Sequence, residues 1–102
     1  GPGLLETAYQ QCLAYELSSN DIEFCLEHPI PLKYKNVAID CAFRADIIVA
    51  DSIIVELKSV DKLLPIHEAQ LMTYLKLTGV KLGLLINFNV PLLKDGIKRF
   101  IL

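Results

Sequence analysis

The sequence predicts an α/β fold, a mixed central β-sheet flanked by helices, built as one domain over residues 1–102. Three observations predict it. An apolar stripe at helical spacing opens the chain, two runs rich in β-branched residues follow, and a second helical segment separates these runs from a nearly continuous apolar one. The order is helix, three strands, helix, strand, strand. The strand after the second helix is expected to run parallel to the strand before it, through a right-handed crossover.

Each element has its own signal. Leu5, Ala8, Tyr9, Cys12, Leu13 and Leu17 recur on one side of a helix from Leu4 to about Ser19, with Pro2 and Gly3 punctuating its start. Ser18-Ser19-Asn20-Asp21 ends it with turn formers. From Ile22 to Tyr34 the pattern is extended, but Pro29 and Pro31 cannot donate to a ladder, which predicts an edge or bulged strand. Lys35-Asn36 is a turn, and the runs Val37 to Val49 and Ile53 to Val60 are strands separated by Ala50-Asp51-Ser52. Pro65 opens the second helix, which runs to about Thr78, with Gly79 as its C-terminal cap. Val80 to Phe88 reads as a strand buried on both faces, and Ile97 to Leu102 as a last short strand after the loop Asn89 to Gly96.

Composition narrows the function classes. With 53% apolar residues and ordinary Pro and Gly counts, disorder and low complexity are excluded. No apolar run is long enough to span a bilayer and no signal segment opens the chain, so a cytoplasmic protein without membrane contact is expected. Cys12, Cys25 and Cys41 lack paired spacing and sit among apolar neighbours, which predicts buried thiols in a reducing compartment. The formal net charge of −2 is unlike that of a protein gripping duplex DNA by broad phosphate neutralisation. Contact with nucleic acid would then need a local site, a homodimer surface or a partner protein supplying basic residues. The start at Gly1-Pro2-Gly3 without Met suggests that some natural N-terminal residues are absent.

Asp46 lies among Ile47, Ile48 and Val49, and Glu56 and Lys58 lie within Ile53, Ile54, Val55 and Leu57. Ionisable groups in apolar strands are costly unless they pair or bind a metal. Glu56 and Lys58, two apart, share a face. A three-residue loop at Ala50-Asp51-Ser52 would place Asp46 directly opposite Glu56, whereas a two-residue loop would put them on opposite faces. The three-residue loop, or an equivalent bulge, is expected. Converging carboxylates and a lysine suit phosphodiester hydrolysis: the carboxylates can hold Mg²⁺ or Mn²⁺, and the lysine can orient water or stabilise developing charge. Spacing alone leaves open a buried Glu56–Lys58 ion pair with Asp46 beside Arg44.

Two further features favour the metal site. Glu6 lies one turn from Tyr9 on an otherwise apolar stretch, and His67, Gln70 and Tyr74 make a polar stripe on the second helix. Tyr74 could equally be a core aromatic, and His67 a first-turn surface residue. Gln70, between Ala69 and Leu71, is harder to set aside.

The motifs Gly3-Leu4-Leu5-Glu6-Thr7-Ala8-Tyr9, Arg44-Ala45-Asp46 with Glu56-Leu57-Lys58, and Gln70-Leu71-Met72-Thr73-Tyr74 together resemble the GxxExxY family of the PD-(D/E)XK nuclease superfamily. The last of these is similar to the Q-x-x-x-Y motif of the RecB-like exonuclease branch. Gly83 to Phe88 and Gly96 to Arg99 are similar to the family's C-terminal end, so the resemblance covers essentially the whole chain. It implies a restriction-endonuclease-like fold with Asp46 and Glu56 as metal ligands, Glu6 as an accessory acid and metal ligand, Lys58 as the catalytic lysine, and Gln70 completing the site. It also implies supporting or phosphate-facing roles for Tyr74, Arg44 and His67. The activity implied is Mg²⁺-dependent cleavage of nucleic acid, DNA before RNA, with Mn²⁺ substituting. The competing expectation is an inactive scaffold of the same fold that serves binding or dimerisation.

Overall fold

The computed structural model describes residues 3–102. Pro2, the expected helix punctuation, lies outside the described residues. Helix α1 spans Leu4–Ser19, starting at Gly3, whose N–H donates to the Glu6 carboxylate at 3.3 Å. Its inward side is made by Gln10 and Ala14, with Tyr9, Leu13 and Leu17 half-buried, while Leu5, Ala8 and Cys12 face outward. The helix is thus rotated from the expected stripe, because a polar residue, Gln10, occupies its most buried line.

Strands β1 (Phe24–Pro29), β2 (Leu32–Tyr34), β3 (Val37–Ile39), β4 (Arg44–Val49) and β5 (Ile53–Lys58) follow. The two extended stretches expected at 22–34 and 37–49 are each divided in two. After Pro29, Ile30 donates to the Phe43 carbonyl at 2.9 Å and the chain leaves the sheet. It makes a separate two-stranded ribbon, β2–β3, turning at Lys35 and Asn36, both with positive φ, and re-enters at Arg44. The re-entry bends at Asp40, whose carboxylate accepts the Ala42 N–H at 2.7 Å.

Helix α2 (Pro65–Thr78) ends at Gly79, whose φ of 75° lets its N–H cap the Leu75 carbonyl. Strand β6 (Leu82–Asn87), a 3₁₀ turn (Leu93–Gly96) and β7 (Ile97–Ile101) complete the chain. The sheet order is β1-β4-β5-β6-β7, with β5 and β6 parallel and the other neighbours antiparallel. The proline-bearing β1 forms an edge, as its missing donors require.

One sheet face packs Ile48, Ile54 and Leu85 against Leu71, Tyr74 and Leu75 of α2. The other packs Ile47, Val55, Leu57 and Ile86 against Leu13 and Leu17 of α1. The thiols fall outside both cores. Cys12, Cys25 and Cys41 are free and exposed, contrary to the burial expected from their neighbours. Cys12 is on the outward side of α1, Cys25 alternates with the inward Phe24 and Leu26, and Cys41 lies in the bend before β4. Among the described residues no helix is long and apolar enough to cross a membrane.

Candidate functional site

The β4–β5 pairing fixes the centre of the site. Val49 faces Ile53, Ile48 faces Ile54 and Ile47 faces Val55, so the three-residue loop forms and the next opposed positions are Asp46 and Glu56. Both acids are buried, 6% and 3% exposed. They brace one another across the strands: Asp46 N–H donates to Glu56 Oε1 at 3.2 Å, and Leu57 N–H donates to Asp46 Oδ2 at 2.8 Å. No buried side-chain polar atom among the described residues lacks a hydrogen-bond partner, so the carboxylate oxygens free of such bonds are those reached by solvent.

These acids line a cavity of about 180 Å³ together with Arg44, Lys58, Glu6, Gln70, Tyr74 and Phe43. Larger hollows of about 410 and 270 Å³ lie around Asp51, at the other end of the β4–β5 hairpin. Burial pushes the Glu56 carboxyl up to about 9, and the Asp46 charge acts in the same direction, while the Asp46 N–H bond and Lys58 oppose them. The Tyr74 hydroxyl is also raised, by burial first and then by Glu56.

Glu6 reaches the rim from α1, and its Oε1 accepts the Ser59 N–H at 3.3 Å, next to Lys58. Among the described residues no ion pair joins Glu56 to Lys58, and Arg44 pairs with Asp40 at 3.6 Å rather than with Asp46. The alternative of a purely structural ion pair therefore loses both of its contacts. Gln70 Nε2 donates to the Tyr74 hydroxyl at 3.2 Å, so Tyr74 is both a core aromatic, 3% exposed, and a cavity wall. His67 does not line the cavity. Its Nδ1 accepts the Leu64 N–H at 3.0 Å, and the side chain caps the start of α2.

Among the described residues no three His, Cys, Asp or Glu side chains are grouped to hold a metal ion, and the Glu6 carboxylate accepts the Gly3 and Ser59 N–H groups. Two adjacent carboxylates with solvent-reached oxygens nevertheless fit Mg²⁺ or Mn²⁺. These hard ions keep several waters and take substrate oxygens in place of a full protein cage.

Sequence patterning missed two buried amides. Gln10, 3% exposed, donates to the Asp46 carbonyl at 2.8 Å and to Glu27 Oε2 at 3.1 Å. Asn87, 4% exposed, accepts from Val60 N–H at 3.1 Å and donates to Val60 O at 2.9 Å, extending the β5–β6 contact past Lys58. The signal was present for both. Gln10 falls on the helical line through Glu6, Leu13 and Leu17, and Asn87 ends the apolar run of β6.

The family model of the PD-(D/E)XK nuclease superfamily matches residues 1–100. The chain belongs to the PD-(D/E)XK nuclease superfamily. Its mixed sheet between two helices is the restriction-endonuclease-like arrangement. Nucleases of this superfamily generally use divalent metals, which agrees with the paired carboxylates. The crystal structure of SSO0001 is similar to this PD-(D/E)XK chain with a TM-score of 0.63 and 27% identity, covering 94% of this chain. The chain spans about half the length of that relative, 48%. No curated protein matches the chain.

Proposed function

We propose that this PD-(D/E)XK domain is a Mg²⁺-dependent nuclease acting on DNA, with Mn²⁺ able to replace Mg²⁺. The observation that carries the reading is the cross-braced pair Asp46 and Glu56, opening with Lys58 into one cavity. A bound divalent ion there supplies charge neutralisation and a more acidic water. Asp46 and Glu56 would hold it through their carboxylates. Lys58, free of an ion pair with Glu56, directs its ammonium at the attacking water or the developing phosphorane charge. Glu6 serves as an accessory acid from the rim, and Gln70 and Tyr74 form the wall that receives the phosphate. Arg44, on the same cavity, adds positive charge. The G-x-x-E-x-x-Y and Q-x-x-x-Y motifs support placement in the GxxExxY family with RecB-like features.

The net charge of −2 supports a homodimer or a partner protein that completes the nucleic-acid surface, and action in the cytoplasm agrees with the same reading. The absence of a three-ligand cluster among the described residues favours a second reading, an inactive scaffold for binding or dimerisation. Cleavage of end-labelled single- and double-stranded DNA and RNA in Mg²⁺, with Lys58→Ala as control, decides between them. Cleavage of DNA that Lys58→Ala abolishes supports the nuclease. DNA left intact at every metal concentration supports the scaffold.

A further inference from the structure

The β1–β4 ladder is interrupted opposite Asp46. Leu26 pairs with Ile47 and His28 with Ala45, but Glu27, the residue between, forms no pair with Asp46 and has a φ of 49°. A non-glycine residue in that region carries a conformational cost of about 1–2 kcal/mol, and such breaks collect beside functional sites. The Asp46 carbonyl is instead held by helix α1. Gln10 Nε2 donates to it at 2.8 Å and to the displaced Glu27 carboxylate at 3.1 Å, so one side-chain amide stands where a strand bond would be. The same helix, one turn earlier, grips the other strand of the site, because Glu6 accepts the Ser59 N–H beside Lys58.

We propose that Gln10 is the positioning residue of the acid centre: by holding the Asp46 carbonyl and Glu27 it sets where the Asp46 carboxylate points. The proposal rests on the reading of Asp46 as a metal-binding acid. A carboxylate on an unbroken ladder would take its direction from the sheet alone. Here the Asp46 backbone is held by one buried amide from another layer, and the bond that reports on the carboxylate's direction is Leu57 N–H to Asp46 Oδ2. Gln10→Leu keeps the apolar bulk but removes both donors. Leu17→Ala, on the same helix and in the core under α1, serves as a variant destabilised without touching Asp46.

Two measurements test this. In the metal-free protein, hydrogen exchange of the Leu57 amide should quicken at least about tenfold in Gln10→Leu relative to its β5 neighbours, and only in parallel with them in Leu17→Ala. In calorimetric titrations with Mn²⁺, Gln10→Leu should weaken binding about 10- to 100-fold, the range for outer-sphere partners of metal ligands, while Leu17→Ala stays within about twofold. Gln10→Glu should not restore binding, since a carboxylate cannot donate to the carbonyl. Unchanged Leu57 exchange in Gln10→Leu overturns the proposal whether or not Mn²⁺ binds, and so does unchanged Mn²⁺ affinity. Failure of the unaltered protein to bind Mn²⁺ defeats the nuclease reading, and the exchange result still decides how Asp46 is held.

Discussion

Asp46 and Glu56 face each other across the β4–β5 hairpin, and each acid is held by a backbone N–H from the other's strand. The arrangement keeps two like charges together in a buried site. Burial first, and the Asp46 charge beside it second, keep a proton on Glu56, whose carboxyl is raised accordingly.

Glu56 titrates at about 9 in the folded protein against an ordinary value of 4.5, so between those values the folded state binds a proton that the unfolded state has released. Stability from this group is full below the ordinary value and is lost as pH rises toward 9, by up to about 1.4 kcal/mol per pH unit. Urea unfolding of the metal-free protein should therefore weaken steeply over that window, and Glu56→Gln should flatten the dependence. Parallel pH profiles for the two proteins would refute this.

Lys58→Met removes the ammonium and keeps the stem. Cleavage should fall about 10²- to 10³-fold, the usual cost of losing one group that stabilises transition-state charge. Mn²⁺ binding should hold or tighten, because a positive charge near the acids is gone. A variant that cleaves at the original rate would remove Lys58 from the mechanism.

Asn87→Leu removes the partners of both the N–H and the carbonyl of half-buried Val60, and it should destabilise the fold by about 1–3 kcal/mol. Gly96→Ala reaches the same spot from behind, since a Cβ there would overlap the Asn87 carbonyl, and overpacking of this kind costs about 1–3 kcal/mol. Denaturant midpoints of the two variants and of the double variant should show less than additive losses, because both act on Asn87. Strict additivity would mean that the contacts are independent.

The centre of the site was legible because a loop length and a period of two suffice to decide whether Asp46 and Glu56 share a face. The crossover before β6 was legible from the helix that separates the two runs. The Asp40 turn and the β2–β3 ribbon were not, since apolar residues recur across 37–49 with no Gly or Pro to mark a break, and the bend is set by the Asp40 side-chain bond to Ala42 and the positive φ there. The cysteines misled because apolar neighbours along the chain say little about which side of an element a residue takes. Gln10 is hidden for the same reason: it is a polar residue on the otherwise apolar inward side of the helix, where a carbonyl left by the broken ladder meets its amide. The polar stripe that joins His67 to Gln70 and Tyr74 is misleading at its first member, because three residues after Leu64 the ring is placed to cap α2, in keeping with the first-turn alternative.

Calorimetric titration of the domain with Mn²⁺, alongside Asp46→Ala and Glu56→Ala, tests the metal centre most directly. The unaltered protein should bind, with release of a proton near neutral pH as the ion displaces it from Glu56, and neither variant should bind. Absence of binding in the unaltered protein, or binding that survives both substitutions, would contradict it.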